Sequence, residues 1–120
     1  MAGATSRNLD TPDETRTPDK TLVQVVNLDG AKVGRATFQP GWKWSDCIKP
    51  VVGTDSCQVH HVGVILSGAM HVVHNDGSEI EVAKGEVYEI HPGHDAWVVG
   101  DEAVVVLEFD AEAVTTYAKE

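Results

Sequence analysis

The feature that most constrains the fold of this chain is a series of short, β-branched runs separated at even intervals by turn residues. Along residues 21–110 the apolar side chains alternate with the period of two that is typical of strands, and the helical period of 3.6 fits poorly. Pairs such as Asp29-Gly30 and Gly100-Asp101 mark the turns. Regular short strands with frequent glycine turns predict an all-β fold, an antiparallel sandwich or barrel.

This region is predicted to contain eight or nine strands of four to nine residues. The stretch 42–44 is a short aromatic segment, and 46–55, which contains Pro50 and Gly53, is predicted to be a loop or an irregular edge. The single helical candidate is 110–119, after the last strand. The predicted strands cover residues 21–28, 31–39, 56–67, 69–74, 79–83, 86–90, 96–99 and 103–110.

The two ends of the chain differ in texture from the strand region. Residues 1–20 are polar and contain Pro12 and Pro18, so we expect an N-terminal arm that is disordered or adds an extended segment to another element. We therefore expect a flexible arm over 1–20, one barrel domain over 21–112, and a C-terminal tail or short helix over 113–120.

Composition argues against several classes of function. The 120 residues include nine Lys and Arg against nineteen Asp and Glu, which gives a net charge of −10. Such a surface repels phosphate backbones and anionic lipids, so we expect neither nucleic-acid nor membrane partners. No apolar run approaches the roughly 18 residues that span a bilayer, and the first residues lack the apolar middle of a secretory signal. We therefore expect a soluble, cytoplasmic protein.

All six histidines fall between positions 60 and 94, and Cys57 lies just before them. Imidazole and thiolate are the usual protein ligands of zinc, iron and copper. No CxxC motif occurs, so neither a thioredoxin-type pair nor a zinc ribbon is indicated. The clustered histidines are His60, His61, His71, His74, His91 and His94.

Strand parity tests whether these side chains can converge. Residues two apart in an extended segment share a face, so Cys57, Val59 and His61 would face one side, and Gln58 and His60 the other. Only one of the adjacent pair His60 and His61 can easily point into a barrel, and parity with Cys57 favours His61. A bulge at the pair would reverse that choice.

Two stretches of the chain resemble the paired motifs of the cupin superfamily. The first stretch runs from Cys57 to Gly68, and the second covers residues 85–94, with a turn at Asp76-Gly77 between them. The family motifs are G-x5-H-x-H-x3–4-E-x6-G and G-x5-P-x-G-x2-H-x3-N. Together with the strand pattern over residues 21–110, the resemblance implies a small single-domain cupin of the cupin-2 type, a jelly-roll-like barrel with a metal in its mouth.

The glycines of the motifs match this chain better than the metal ligands do. Gly68, Gly85 and Gly93 align with the family glycines. His91 replaces the family proline, with Pro92 directly after it, and the terminal Asn position is a glycine.

The ligand positions of the family carry other residues here. His61 falls at the family Glu, Cys57 at the second His and Asp55 at the first. The family's later metal His falls on Ala96, and His94 lies two residues earlier with the same parity. A substitute ligand set of Cys57, His61 and His94 is therefore predicted, with His60 or Asp55 as a fourth member.

Three protein ligands and an open position are typical of a catalytic metal site. A thiolate with two imidazoles favours a divalent zinc or iron ion. Cys57 and His61 are then the candidate catalytic residues, with Cys57 either a ligand or an activated thiol. The alternative is a barrel that has lost its metal, in which His61 is a satisfied interior histidine and Cys57 a packed thiol.

Aromatic side chains are the candidates for contacting a small organic molecule. Trp42 and Trp44 would share a strand face and could form one wall of a pocket, or cap one end of the core. Trp97 follows the second motif, and Tyr88 alternates with Glu89 on a strand, so that only one of these two faces inward. The predicted substrate-binding residues are Trp42, Trp44, Trp97 and Tyr88.

Two functions follow from this pattern. The first is a metal-dependent enzyme acting on a small molecule, of the oxygenase, decarboxylase or isomerase type that the resemblance implies. The second is a barrel that binds or senses a small molecule without catalysis. The resemblance also implies a homodimer.

Overall fold

The computed structural model describes residues 3–119 as nine strands and three short helices. None of the helices in this range is long and apolar enough to cross a membrane. The strands are β1 (Glu14–Arg16), β2 (Thr21–Asn27), β3 (Lys32–Phe38), β4 (His61–Ser67), β5 (Ala69–His74), β6 (Glu79–Ala83), β7 (Val87–Ile90), β8 (His94–Val99) and β9 (Val104–Glu108). The helices are α1 (Trp44–Cys47), α2 (Lys49–Val52) and α3 (Ala111–Thr116).

The strands form two antiparallel sheets around one core. The larger sheet has the order β1-β2-β3-β9-β4-β7, and the smaller has the order β6-β5-β8. Side chains alternate between buried and partly exposed along β4 and β8, as strand geometry requires. Buried residues of both sheets, such as Ile65, Val106, Val72 and Val98, belong to one hydrophobic cluster. The prediction of a single all-β antiparallel jelly-roll-like fold is confirmed.

A glycine is required where β4 lies between β7 and β9. A Cβ atom at Gly63 would collide with the Leu107 carbonyl and would lie 2.7 Å from the Tyr88 hydroxyl oxygen. The absence of a side chain at Gly63 therefore lets the Tyr88 ring lie across β4. Tyr88 is buried and Glu89 is exposed, which settles the alternation on β7 that sequence reasoning left open.

The described part of the predicted N-terminal arm, residues 3–20, contains a strand, so it takes the extended form that was one of its two predicted states; residues 1 and 2 lie outside the described residues. Its strand β1 pairs with β2 of the same chain. The guanidinium of Arg16, at the end of β1, is buried and donates hydrogen bonds to the carbonyls of Val114, Thr115 and Tyr117. These carbonyls belong to the C-terminal end of α3, where backbone acceptors have no helical partner. Arg16 of β1 thus anchors the C-terminal end of α3.

The segment between β3 and β4 differs from the prediction. Trp42 and Trp44 do not share a strand, because Trp44 begins α1 and Trp42 lies in the turn before it. The predicted loop contains a second helical turn, α2, with Pro50 near its start and Gly53 at φ 78° after its end. Single-turn helices are too short to show a 3.6-residue period, so the pattern did not reveal them.

Several strand boundaries differ from prediction, and two of the differences concern the motif regions. The strand predicted over 56–67 begins only at His61, and the strand predicted over 96–99 begins earlier, at His94. Cys57 and His94 meet in an isolated antiparallel bridge. This bridge places the two motif regions side by side.

Candidate metal centre

Three metal-ligating side chains converge inside the fold. Cys57, His61 and His94 each offer one ligand atom, and these atoms all lie within 4.8 Å of one another. The three residues are 2%, 5% and 3% exposed, respectively. Such burial is unusual for polar groups unless they are hydrogen-bonded or bind an ion.

Backbone pairing brings the three residues together. The Cys57 amide donates to the His94 carbonyl over 2.7 Å, and the His94 amide donates back to the Cys57 carbonyl over 3.2 Å. His61 begins β4 and faces Ile90 of β7 in the antiparallel register. The group therefore rests on strand pairing, which fixes side chains better than a free loop does.

His61 is oriented by a carboxylate behind it. Its Nδ1 lies 2.7 Å from Oε1 of Glu108, the last residue of β9. A carboxylate only accepts hydrogen bonds, so Nδ1 carries the proton that is donated. The other nitrogen, Nε2, lies 3.6 Å from the sulfur of Cys57.

His94 is oriented in the same sense by a backbone carbonyl. Its Nδ1 donates to the carbonyl oxygen of His91 over 2.9 Å. The Nε2 atom of His94 is therefore the nitrogen left to serve as a ligand. The rings of His61 and His94 meet edge to face, with centroids 5.3 Å apart.

The neighbours of Cys57 favour its thiolate. Burial alone would raise the pKa of Cys57, but hydrogen bonds and charge from His61 and His94 outweigh burial and lower the pKa to about 6. Burial alone would lower the pKa of His61, but hydrogen bonds and charge from Cys57 and Glu108 raise it to about 10. Cys57 and His61 thus form a buried pair in which each stabilises the charged form of the other.

Glu108 has a second oxygen without a protein partner. Among the described residues, its Oε2 is the buried side-chain oxygen or nitrogen atom that makes no hydrogen bond. Burial raises the pKa of Tyr88, and the nearby Glu108 carboxylate raises it further, so Tyr88 stays a neutral phenol. The ring of Tyr117, which is half-buried and follows α3, lies edge to face on His61 at 5.2 Å between centroids.

Two cavities border the three ligands, one at His61 and His94 and the other at Cys57. One has a volume of about 30 Å³, lies inside the fold and is lined mostly by apolar side chains, together with His61, His94 and Glu108. It has room for about one water molecule. The other has a volume of about 100 Å³ and lies between the helices and the C-terminal segment, with Cys57 and Tyr117 in its wall.

The remaining predicted site residues are spread over several places. His60 lies on the outside of the fold, paired with Asp110 and Glu89, and does not join Cys57. Trp42 and Tyr88 line the inner cavity, and Trp44 lines the cavity beside Cys57.

Trp97 lies on the outer face of the smaller sheet. Its ring stacks on His71 at 4.7 Å between centroids, below the Lys43 ammonium at 5.4 Å. It lines a shallow surface groove, away from the inner cavity.

Sequence reasoning missed Glu108 and Tyr117. A signal for Glu108 was present, because it shares strand parity with Val104 and Val106 and so puts a carboxylate on the core side of β9. Tyr117 lies beyond the last strand, where strand parity does not apply. Its place depends on how α3 folds back onto the sheet.

Comparison with known proteins shows the fold but no family. No family model and no curated protein matches the chain. Among solved structures, one that is similar is a Silicibacter pomeroyi protein described as a sugar phosphate isomerase from a cupin superfamily. It is 19% identical to this chain, with a TM-score of 0.60, and the match covers 87% of this chain and 73% of that one. An oxalate decarboxylase of Lactobacillus farciminis is 16% identical, with a TM-score of 0.57 over 79% of this chain and 30% of that one.

An oxalate oxidase is also similar, at 20% identity and a TM-score of 0.56 over 92% of this chain and 62% of that one. At these identities the likeness concerns the fold alone. The chain therefore has a cupin-like fold, and its similar structures include an isomerase, a decarboxylase and an oxidase.

Proposed function

We propose that this protein binds one divalent metal ion, zinc or iron, through Cys57, His61 and His94, and acts on a small molecule there. The observation that carries this proposal is the orientation of the two imidazoles. Both donate through Nδ1 to a fixed acceptor, one to Glu108 and the other to the His91 carbonyl. This arrangement leaves both Nε2 atoms as ligands beside the sulfur of Cys57, as in protein metal sites whose histidines are held by outer partners.

The donor chemistry of the three residues fits such an ion. One thiolate and two imidazoles are a common ligand set for zinc and also suit iron. Because His61 is held as an imidazolium beside the Cys57 thiolate, a binding metal ion would displace the proton on its Nε2. The thiolate of Cys57 forms near neutral pH because of its two histidine neighbours. The Glu108 carboxylate supplies further negative charge behind His61, which raises the basicity of that ligand.

A bound ion would supply Lewis-acid chemistry or an activated water at its open position. The residues around it would position and protect the reacting molecule. Glu108 lines the inner cavity, and its Oε2 is available to accept a proton from a molecule held there. Trp42 and Tyr88 close the cavity with apolar surface, which excludes bulk water.

The size of the inner cavity limits what can bind without rearrangement. About 30 Å³ accommodates a water-sized molecule, so a larger substrate would need movement of the C-terminal segment or of the aromatic wall. Oxygenase, decarboxylase and isomerase chemistry all remain within the proposal. The enzymes with this fold support that range, because they include an oxalate decarboxylase, an oxalate oxidase and a sugar phosphate isomerase.

The test is metal content, measured by mass spectrometry on untagged, natively purified protein. Close to one metal ion per chain is expected, and Cys57→Ala and His94→Ala should each lose most of it. Cys47→Ala is the matched control, because Cys47 is also a buried free cysteine but lies outside the ligand group. Equal metal content in all these folded variants would contradict the proposal.

A second function is favoured by the cavity beside Cys57. That cavity has a volume of about 100 Å³ and an almost entirely apolar wall that includes Trp44, Ile48 and Tyr117. It could bind a small apolar molecule in a protein without metal. In that case such ligands should raise the melting temperature of metal-free protein, and His94→Ala, which removes a proposed metal ligand outside the wall of this cavity, should leave the response unchanged.

A further inference from the structure

We propose that His60, Glu89 and His91 form a second divalent-metal site, on the outer face of the fold. Each of the three residues offers one ligand atom, and these atoms all lie within 4.8 Å of one another. His60 is half-buried, whereas Glu89 and His91 are exposed. This inference uses none of the residues of the inner centre and does not depend on it.

Glu89 lies between the two imidazoles. Its Oε2 is 2.9 Å from His60 Nε2, and its Oε1 is 3.9 Å from His91 Nε2. The two rings face each other with centroids 5.4 Å apart and planes tilted by 33°. The two nitrogens and the carboxylate thus border one small region that is open to solvent.

A carboxylate fixes the orientation of the His60 ring through Nδ1, as Glu108 does for His61. Its Nδ1 lies 2.8 Å from Oδ2 of Asp110. The other oxygen of Asp110 accepts hydrogen bonds from the amides of Glu112 and Ala113 at the start of α3, so the carboxylate is held in place. Asp110 therefore acts as a positioning residue and leaves Nε2 of His60 directed toward Glu89 and His91.

Strand register brings the outer ligands together. β4 and β7 pair antiparallel with His61 opposite Ile90 and Val62 opposite Glu89. Continuing that register by one residue sets His60 opposite His91. The site thus lies at the ends of two paired strands, and its geometry comes from the sheet.

The ligand types select a class of metal. Two imidazoles and one carboxylate suit zinc and other divalent transition metals, whereas magnesium and calcium prefer oxygen ligands throughout. A net charge of −10 also favours the approach of cations. Because Glu89 and His91 are exposed, water would fill the remaining positions of a bound ion, and binding should be weaker than at the buried centre.

A similar surface pair provides a matched control. His71 Nε2 lies 3.1 Å from Glu79 Oε2, but the His71 ring stacks on Trp97, and the pair belongs to neither metal-ligand group. If zinc binding depends on the imidazoles of His60 and His91, His91→Ala should abolish or weaken it, and His71→Ala should leave it unchanged.

The test uses Zn²⁺ as the probe and calorimetry on the full chain in the Cys57→Ala/His94→Ala background, which removes two ligands of the inner centre. One Zn²⁺ per chain should still bind in this background. Adding His91→Ala should weaken the zinc affinity at least tenfold, whereas adding His71→Ala should leave the affinity unchanged. Absence of binding, or equal affinity in the His91→Ala variant, would overturn the proposal.

Wild-type protein provides a second test if the double variant does not fold. Metal-free wild-type protein should bind two equivalents of Zn²⁺, of which His91→Ala removes only the weaker. If His91→Ala still binds both equivalents, the outer site does not exist. Loss of the tighter equivalent in Cys57→Ala concerns the inner centre alone, so the two proposals can fail separately.

Discussion

Glu108 is the side chain that fixes the orientation of His61 in the buried ligand group. It is the last residue of β9, where Oε1 accepts a hydrogen bond from His61 and Oε2 has no protein partner. An unpaired buried carboxylate oxygen is costly by about 1–3 kcal/mol or more, so its retention calls for a functional reason. Orienting His61 as a ligand of the proposed metal ion would provide one.

Replacing Glu108 with Gln should weaken metal binding by about 10- to 100-fold, because the outer partner of His61 loses its charge while its shape stays nearly the same. Competition with a chromophoric chelator would measure the change. Glu102→Gln, at an exposed turn position, is the control. Unaltered affinity in the folded Glu108→Gln variant would show that this carboxylate does not support the site.

The thiol of Cys57 should ionise at unusually low pH in the metal-free protein. Because its pKa is lowered to about 6 from an ordinary value of 9.0, the thiolate should form as the pH rises through about 6. Absorbance at about 240 nm reports thiolate. The step should be missing in Cys57→Ser, which retains Cys47, and a midpoint near 9 in wild-type protein would contradict the described contacts with His61 and His94.

Strand periodicity predicted much of the architecture and part of the candidate site. It placed Cys57 and His61 on one face, and the structure buries both while His60 lies outside. The argument assumed one continuous strand over both residues, whereas β4 begins only at His61 and Cys57 is held by an isolated bridge to His94. It could not show how His94 meets Cys57, because that pairing joins segments distant in the sequence.

The two single-turn helices and the packing of α3 lay beyond what periodicity could predict. Neither α1 nor α2 is long enough to carry a repeated apolar spacing. The position of α3 depends on Arg16, which is about a hundred residues away in sequence and donates to carbonyls at its end.

Arg16→Ala should destabilise the protein by about 2 kcal/mol or more, because it removes a charged donor from three carbonyls at the end of α3. Urea unfolding would measure the difference in the free energy of unfolding. Arg7→Ala is the control, since the Arg7 side chain is 39% exposed and pairs with Asp13 at the surface. Equal losses in the two variants would contradict the anchoring role of Arg16.

The complete fold brings three separate chain segments to one buried point. Cys57 lies before β4, His94 begins β8 and Glu108 ends β9. Of these, His94 and Glu108 line the inner cavity of about 30 Å³. The volume and lining of that cavity result from how the side chains of both sheets interlock, and a linear pattern does not encode them. The cupin-like fold was therefore predictable from the sequence, whereas the size of the space for a substrate was not.

Binding at a buried centre should stabilise the protein against heat. A ligand present at a hundred times its dissociation constant adds about 2.7 kcal/mol when it binds only the folded state. Removing the metal with a chelator should therefore lower the Tm by several degrees, as measured by calorimetry. The same treatment should leave the Tm of Cys57→Ala/His91→Ala unchanged, because that variant lacks a ligand of each proposed site. A chelator-insensitive wild-type protein would contradict a tightly held ion.

The most direct measurement is X-ray absorption at the metal edge of His91→Ala protein loaded with one equivalent of zinc, so that the outer site does not contribute. One sulfur at about 2.3 Å and two imidazole nitrogens at about 2.0–2.1 Å are expected if Cys57, His61 and His94 bind the ion. A spectrum with nitrogen and oxygen neighbours but no sulfur would contradict the proposed centre.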